Sequence, residues 1–289
     1  MTASLRPVGG SPREVFDLVR AWVLDGGAPL VIRTSGSTGE PKDVLLSHGA
    51  VLASARSSLE RLGGPGGWLQ AIPVTGVGGL QVLVRSALAG LEPVFAGEHG
   101  TLAEAVAAIP GPRRYASLVP TQVHRLVDAG DVEVLTPLDA LLIGGAAVAP
   151  ELLESLRVAG VRVVRTYGMS ETSGGCVYDG LPLDGVRVQI DDHGQVHLAG
   201  PVLFDGYADP SATERVLVDG WFATADLGSV DAGGRLRVIG RSDDVVISGG
   251  VNVPLPAVTA ALRAQEGVGD AVAIGVPDDE WGTRVVAYL

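Results

Sequence analysis

A nine-residue segment near the amino terminus concentrates groups that can bind phosphate. It carries four hydroxyl side chains, two glycines and one ammonium group, in the order Thr34, Ser35, Gly36, Ser37, Thr38, Gly39, Glu40, Pro41 and Lys42. Glycines let backbone amides approach an anion closely, hydroxyls donate further hydrogen bonds, and the ammonium supplies a positive charge. The segment therefore predicts a cradle for a pyrophosphate or triphosphate, and a polar surface turn is the alternative.

The spacing within this segment differs from that of a P-loop. Two residues separate Gly36 from Gly39, Pro41 precedes the lysine, and Asp43 stands where the P-loop pattern requires Ser or Thr. The sequence therefore argues against a P-loop NTPase. Lys42 is the one lysine among the 21 basic residues of the chain, so the loop holds a cation that the rest of the sequence does not repeat.

The overall composition narrows the class of protein. The chain has 289 residues, of which 46% are hydrophobic and 19% charged, and its net charge is −12, which indicates an acidic globular protein without a broad nucleic-acid-binding surface. No apolar run approaches the roughly 18 to 20 residues of a membrane span, and residues 1–10 lack a signal-peptide pattern. We therefore expect a cytoplasmic protein. Its one cysteine, Cys176, is expected to be a buried filler and not a nucleophile.

Three later segments also combine groups that could act on a nucleotide. The first contains Tyr167, Gly168, Met169, Ser170, Glu171 and Thr172, the second runs from Trp221 to Asp226, and the third from Gly240 to Asp244. Taken singly, Ser-Glu-Thr could be a helix cap or a solvated turn, Asp226 could belong to a turn, and Arg241 could form a surface ion pair. Their meaning depends on the elements that position them.

The elements before residue 166 indicate an α/β fold. A capping box at Ser11 begins a helix that is predicted to end near Leu24, and a second helix is predicted at 50–62. Short apolar runs predict strands at 29–32, 44–46, 69–72, 93–95, 116–119, 140–143 and 161–165. From residue 69 onward the runs alternate with predicted helices at 80–89, 102–108, 122–128 and 151–159, which favours a mostly parallel sheet with ligands at the carboxyl ends of its strands.

The pattern of apolar and polar residues changes after Gly174. Short alternating strands with Gly and Asp turns, for example 187–190 and 195–198, predict a β-rich subdomain at about 175–242. A glycine cluster near 240–252 precedes a predicted helix at 254–264 and a strand at 271–276. The predicted organisation is a large domain at 1–242, followed by the start of a small α+β domain at 243–289.

The four motifs together resemble the signatures of the adenylate-forming superfamily, the AMP-binding enzymes that include acyl-CoA synthetases. Their order and spacing match, and the resemblance extends from about residue 29 to the end. It implies an acid–thiol ligase that uses ATP and Mg²⁺ to activate a carboxylic acid as its adenylate, releases pyrophosphate, and transfers the acyl group to coenzyme A. The partners implied are small molecules, and a homodimer is possible because family members often form one.

The resemblance also implies roles for individual residues. Lys42 and the loop from Thr34 to Gly39 would hold the β- and γ-phosphates, Glu171 would hold Mg²⁺, and Ser170 and Thr172 would lie beside the α-phosphate. Other nucleotide- or thiol-binding positions would be Tyr167, Gly168 and Met169 with Gly144, Gly145 and Ala146 around adenine, Asp226 and Arg241 at the ribose, and Gly249 and Gly250 along the thiol tunnel. For Gly144 and Gly145, a plain strand-to-helix turn remains the alternative.

One further segment points to the acid. Residues 72–86 resemble the acyl-pocket motif of the o-succinylbenzoate–CoA ligases of menaquinone biosynthesis, in which an apolar helix carries one arginine. Arg85 is therefore predicted to bind a second carboxylate of the acid, with Gly76, Gly79 and Thr121 completing the pocket, whereas a snorkelling or ion-paired arginine is the alternative. Many relatives have His where Gly76 stands, which leaves a generic aryl- or acyl-CoA synthetase open.

The sequence also departs from the family pattern near its end. The family uses a lysine late in the C-terminal domain for adenylation, and no lysine follows residue 42. Residues 278–282 resemble a stretch early in that domain, so the chain is expected to stop partway through it and to adenylate slowly. A catalytically impaired nucleotide-binding relative is the rival interpretation.

Overall fold

The computed structural model describes residues 8–34, 41–265, 267–268 and 271–289. The chain divides into two compact units. The first contains Met1–Val186 and Ala199–Leu217, and the second contains Arg187–Leu198 and Val218–Leu289. This division does not test the domain boundary predicted at 242/243, which stays a prediction.

Helices and strands follow one another along the chain much as the sequence predicts. The helices are α1 (Pro12–Asp25), α2 (His48–Arg61), α3 (Val77–Ala89), α4 (Leu102–Ala107), α5 (Pro120–Asp128), α6 (Pro150–Val158), α7 (Pro210–Val216) and α8 (Leu255–Arg263). The strands up to residue 182 are β1 (Leu30–Thr34), β2 (Lys42–Leu46), β3 (Gly67–Gln70), β4 (Val94–Phe95), β5 (Arg114–Leu118), β6 (Ala140–Ile143), β7 (Val163–Met169), β8 (Gly174–Tyr178) and β9 (Leu181–Pro182). The later strands are β10 (Arg187–Ile190), β11 (Gln195–Ala199), β12 (Gly206–Tyr207), β13 (Leu217–Val218), β14 (Trp221–Val230), β15 (Leu236–Arg241), β16 (Val245–Ser248), β17 (Val251–Pro254), β18 (Val272–Asp278) and β19 (Gly282–Tyr288).

A seven-stranded sheet forms the centre of the first unit. Its order is β4-β3-β5-β6-β7-β8-β9. The pairs β3–β4, β3–β5, β5–β6 and β6–β7 are parallel, which confirms the predicted α/β fold class. Strands β8 and β9, at the start of the predicted β-rich subdomain, instead continue this sheet in antiparallel pairing. The chain can reverse there because a 3-10 turn at Ser170–Thr172 leads to Ser173, whose φ of 52° is left-handed.

The faces of this sheet are covered by helices. Apolar residues of β3, β5 and β6 pack with residues of α4, α5 and α6 in one buried cluster that includes Leu69, Leu118, Ile143, Leu152 and Val123. Helix α3 packs against β3 and contacts α1 and α2. It begins at Val77, three residues before the predicted start, because Gly78 and Gly79 join the helix where the sequence suggested a loop.

A small three-stranded sheet carries the segment that flanks the predicted phosphate loop. Its order is β1-β2-β12. Strands β1 and β2 are antiparallel with Thr34 opposite Lys42, and β12 is antiparallel to β2 with Tyr207 opposite Val44. The hairpin β1–β2 therefore sets the two ends of the loop side by side.

The second unit is rich in strands. Strands β10, β11, β14 and β13 form a sheet in that order, and β15 pairs with β14. Two hairpins, β16–β17 and β18–β19, accompany α8. None of the helices within the described ranges has the length and apolar character needed to cross a membrane.

Candidate active site

A cavity of about 560 Å³ opens in the first unit where the parallel strands end. Its wall contains residues just beyond β3, β5 and β6 and residues of β7, as predicted for ligands of a parallel sheet. Four predicted positions lie in this wall in addition to the pair that follows β6: Arg85, Gly76, Gly79 and Gly168. The cavity is large enough for a drug-sized organic acid.

Arg85 is the charged side chain buried in this wall. It lies on α3 and is 3% exposed, with its guanidinium carbon 4.7 Å from the centre of the Trp68 ring. Among the described residues, its Nε and Nη1 atoms have no hydrogen-bond partner and no carboxylate pairs with it. Burial lowers the pKa of this guanidinium below its ordinary value. An unpaired buried cation is costly, so an anion bound beside this guanidinium would stabilise it.

Gln81 lies one helical turn before Arg85 and fastens α3 to the turn that carries Glu171. Its Nε2 atom donates to the carbonyl oxygen of Ser173 at 2.7 Å and to that of Val51 at 3.2 Å. The Ser54 hydroxyl donates to the same Ser173 carbonyl at 3.0 Å. The helix that carries Arg85 is thereby hydrogen-bonded to the residue that follows the Ser170–Thr172 turn. The sequence offered one signal for this residue, a polar side chain one turn before Arg85 on a mostly apolar helix.

The predicted Tyr167–Thr172 motif forms the end of β7 and the following 3-10 turn. Thr172 is fully buried, and its hydroxyl donates to the Met169 and Gly174 carbonyls and accepts from the Met169 amide. Ser170 is 9% exposed at the start of the turn, and Tyr167 is half-buried on β7. The Thr172 hydroxyl is therefore engaged within the turn, whereas Gly168 faces the cavity.

Glu171 and Lys42 meet at one tyrosine that the sequence analysis missed. The Tyr207 hydroxyl donates to Glu171 Oε1 at 2.7 Å, and Lys42 Nζ lies 5.3 Å from the centre of the Tyr207 ring. The Phe204 amide also donates to the Glu171 carbonyl at 2.9 Å. Tyr207 lies outside the four sequence motifs, and the β2–β12 pairing brings it to Lys42, which is far away in sequence. The structure thus places Lys42 and Glu171, two predicted catalytic residues, around a shared neighbour.

The base of the predicted phosphate loop is held by cross-strand contacts. The Thr34 hydroxyl donates to the Lys42 carbonyl at 3.3 Å, and Arg33 forms a bidentate pair with Asp43 at 2.8 Å for both contacts. The predicted loop residues between these strands lie outside the described residues: Ser35, Gly36, Ser37, Thr38 and Gly39. Lys42 Nζ contacts the Tyr207 ring and has no carboxylate partner in the part of the chain that the structure describes.

The remaining predicted positions of the first unit fall into two groups. Gly144 and Gly145 follow β6 and line the cavity, and Gly145 has a φ of 84°. Ala146 is exposed next to them and is not part of the cavity lining. Thr121 is exposed in the first turn of α5 and also lies outside the lining, whereas Leu118 and Val119 belong to it. The cavity lining therefore includes the end of β5 but not Thr121, whose role in binding the acid stays a prediction.

In the second unit, Asp226 and Arg241 are cross-strand partners. They face each other on β14 and β15, with Arg241 Nη1 3.5 Å from Asp226 Oδ1, and Arg241 Nη2 also lies 3.2 Å from Asp243. Gly249 and Gly250 form the two-residue turn of the β16–β17 hairpin, with φ of 56° and 82°. Two positive φ angles favour glycine at such a turn.

The donor set suits a magnesium ion that is shared with a substrate. Among the described residues, no group of three or more His, Cys, Asp or Glu side chains could enclose a metal. Glu171 supplies one carboxylate, and Mg²⁺ is commonly bound through one or two carboxylates together with substrate phosphates and water. The residues present therefore fit a metal that enters with a polyphosphate.

Comparison with known proteins identifies the family. Residues 28–208, more than half of the chain, match the AMP-binding enzyme family. The chain belongs to the AMP-binding enzymes. This confirms the resemblance drawn from the four motifs, and the matched region contains the Glu171 turn and the cavity lining except Val8.

Several members of this family are similar over most of the chain. A probable 2-succinylbenzoate–CoA ligase of Mycobacterium tuberculosis is 45% identical over 274 residues, which cover 92% of this chain and 72% of that protein. The o-succinylbenzoate CoA synthetase of Bacillus subtilis, solved with its acyl-adenylate intermediate, has a TM-score of 0.78 and 28% identity, over 90% of this chain and 58% of that one. The same synthetase solved with ATP and magnesium has a TM-score of 0.76 and 28% identity, over 90% and 59%. This AMP-binding chain thus spans less than two thirds of the length of the solved relatives.

Proposed function

We propose that this protein activates o-succinylbenzoate with ATP and transfers the acyl group to coenzyme A. In the first step a carboxylate oxygen attacks the α-phosphorus of ATP and pyrophosphate leaves. In the second step the thiol sulfur attacks the acyl carbon and AMP leaves. The family assignment and the names of the similar proteins support this reaction. ATP and coenzyme A are cytoplasmic compounds, so the cytoplasm is the proposed location.

The observation that carries the proposal is the unpaired guanidinium of Arg85 in the wall of the cavity. o-Succinylbenzoate has two carboxylates, one that reacts and one on a short aliphatic chain. Arg85 would bind the aliphatic carboxylate through its guanidinium N–H groups, in a charge-assisted contact. The glycines that line the cavity leave room for the flat benzoyl ring.

The groups around Tyr207 would act on the nucleotide. Lys42 would neutralise the β- and γ-phosphates as they depart, and Glu171 would hold Mg²⁺. When bound, Mg²⁺ would offset the charge of the phosphates and help pyrophosphate to leave. The roles of Ser170, of Asp226 and Arg241 at the ribose, and of Gly249 and Gly250 beside the thiol stay predictions, as does a homodimer.

Acid-dependent exchange of labelled pyrophosphate into ATP tests the first step, and mass spectrometry of the coenzyme A thioester tests the second. We expect both signals with o-succinylbenzoate and much weaker ones with benzoate, because benzoate lacks the group for Arg85. A chain that binds ATP but activates benzoate equally well is a generic aryl-CoA synthetase. A chain that binds neither ATP nor acid in calorimetry is not a ligase, and the proposal fails.

A further inference from the structure

We propose that Tyr207 is a positioning residue for ATP binding, which fixes the carboxylate of Glu171 and the ammonium of Lys42 relative to each other. The inference rests on the proposed function, because it assigns the two charged groups to the metal and the phosphates of ATP. It concerns a residue outside all four sequence motifs. Its support comes from the contacts of one side chain on the short strand β12.

The first contact is with the carboxylate. The Tyr207 hydroxyl donates to Glu171 Oε1 at 2.7 Å, and the Tyr207 residue is 7% exposed. A carboxylate accepts through both of its oxygens, and this hydrogen bond occupies one side of the group and restricts its rotation. Oε2 then keeps a defined direction toward an incoming cation. Loss of the hydroxyl would leave the carboxylate free to turn.

The second contact is with the ammonium. Lys42 Nζ lies 5.3 Å from the centre of the Tyr207 ring, within the range of a cation–π interaction. A lysine on a four-carbon stem has many rotamers, and a ring beside its ammonium reduces their number. The two contacts use different parts of the side chain, the hydroxyl and the ring, so substitutions can separate them.

The backbone around Tyr207 makes this arrangement rigid. Tyr207 is opposite Val44, two residues after Lys42 on the neighbouring strand, and the Ala208 amide donates to the Asp43 carbonyl at 2.9 Å. The Tyr207 amide itself donates to Thr213 Oγ1 at 2.8 Å. Phe204 packs edge-on against the Tyr207 ring, with centroids 5.0 Å apart. The tyrosine is therefore held from several sides before any ligand binds.

The chemistry of the phenol suits a permanent donor. Burial, together with the neighbouring charge of Glu171, raises the pKa of Tyr207 above its ordinary value. The higher pKa favours the protonated phenol, which is the form that donates to Glu171.

Calorimetric titration of ATP, with and without saturating Mg²⁺, tests the inference. In Tyr207→Phe, which keeps the ring, we expect the gain in ATP affinity that Mg²⁺ produces to fall roughly threefold to tenfold, with little change in Mg²⁺-free binding. In Tyr207→Leu, which loses the ring as well, we expect Mg²⁺-free binding also to weaken, by about twofold to fivefold. A general loss of stability would weaken ATP binding equally with and without Mg²⁺, so a loss in Tyr207→Phe that appears only with Mg²⁺ would have a different cause.

Tyr115→Phe is the matched control. Tyr115 is fully buried, and its hydroxyl donates to the carbonyls of Leu62 and Gly64, outside the cavity wall. We expect it to lower the melting temperature and leave the Mg²⁺ effect unchanged. An unchanged Mg²⁺ effect in Tyr207→Phe, or equal weakening with and without Mg²⁺, would overturn the inference alone. A parent protein that does not bind ATP would overturn the proposed function and this inference together.

Discussion

The guanidinium of Arg85 lies 4.7 Å from the centre of the Trp68 ring, and no carboxylate in the described part of the chain neutralises it. An aromatic face compensates a buried cation only in part, because cation–π contacts contribute about 0.5 to 2 kcal/mol. The wall of the cavity therefore holds a charge that costs stability in the free protein. This relationship leads to opposite expectations for stability and for binding.

Arg85→Met should weaken the binding of o-succinylbenzoate at least tenfold, because a charge-assisted contact to its aliphatic carboxylate is lost. The same change should raise the free energy of unfolding of the free protein by about 1 kcal/mol or more, since an unpaired buried charge is replaced by an apolar side chain of similar length. Calorimetric titration with o-succinylbenzoate measures the change in binding, and urea denaturation measures the change in the free energy of unfolding. Arg157→Met, at an exposed helix position, should change neither. Unaltered acid binding in Arg85→Met would contradict the assignment.

Gln81→Leu should lower the free energy of unfolding by about 1 to 3 kcal/mol, because two buried carbonyls lose a side-chain donor. The Val51 carbonyl loses the Gln81 amide, and the Ser173 carbonyl keeps the hydrogen bond from the Ser54 hydroxyl. We also expect a fall in kcat with a nearly unchanged KM for the acid, since the turn with Glu171 is loosened while Arg85 remains. Denaturation and steady-state kinetics check both. Gln265→Leu, an exposed glutamine bonded within its own helix end, is the matched control and should be neutral.

Gly168→Ala should destabilise the protein by about 1 to 3 kcal/mol through overpacking against backbone. An added Cβ would lie 2.1 Å from the Gly174 carbonyl oxygen and 2.7 Å from the Gly175 Cα, neither of which can move without distorting the β7–β8 pairing. Thermal unfolding measures the effect. Gly49→Ala, whose Cβ would meet no atom of the described residues within 4 Å, should leave the melting temperature unchanged or slightly higher. Equal melting temperatures for the two variants would contradict the crowding at Gly168.

Cys176 should not react with thiol reagents in the folded protein near neutral pH. Burial raises the pKa of its thiol to about 12 from an ordinary value of 9.0. Between these two values the thiol ionises only in the unfolded chain, so its contribution to stability is complete below about pH 9 and is lost as the pH rises toward 12. Labelling with a chromogenic disulfide, with and without denaturant, tests whether the Cys176 thiol reacts in the folded protein.

The comparison of Cys176→Ala with the parent isolates the pH effect. Tyrosines titrate in the same range, but they are common to both proteins, so they cancel in the difference. The difference in unfolding free energy should be constant up to about pH 9 and should then shift in favour of the variant, by no more than about 1.36 kcal/mol per pH unit. Rapid labelling of the native protein would show that the thiol is accessible.

The local sequence pattern was sufficient to predict most of the helices and strands. Alternating apolar runs and helices predicted the parallel strands, and the single arginine on an apolar helix predicted the charged wall of the cavity. Contacts between distant segments were beyond such reasoning. Tyr207 reaches Lys42 through strand pairing, and Gln81 reaches Ser173 across packed elements. The exposure of Thr121 depends on the rotation of α5 about its axis, and Pro120 at the start of the helix does not determine that rotation.

The placement of Arg85 and Gln81 one turn apart on α3 separates two tasks along a single helix. Gln81 secures the turn that carries Glu171, and Arg85 lies in the cavity wall, where it is proposed to select the acid. A substitution of Arg85 would then alter which acids are accepted while Gln81 stays in place. The same scaffold could therefore diverge toward monocarboxylic acids by a change at one helix position, and the first product of that divergence would be a more stable protein.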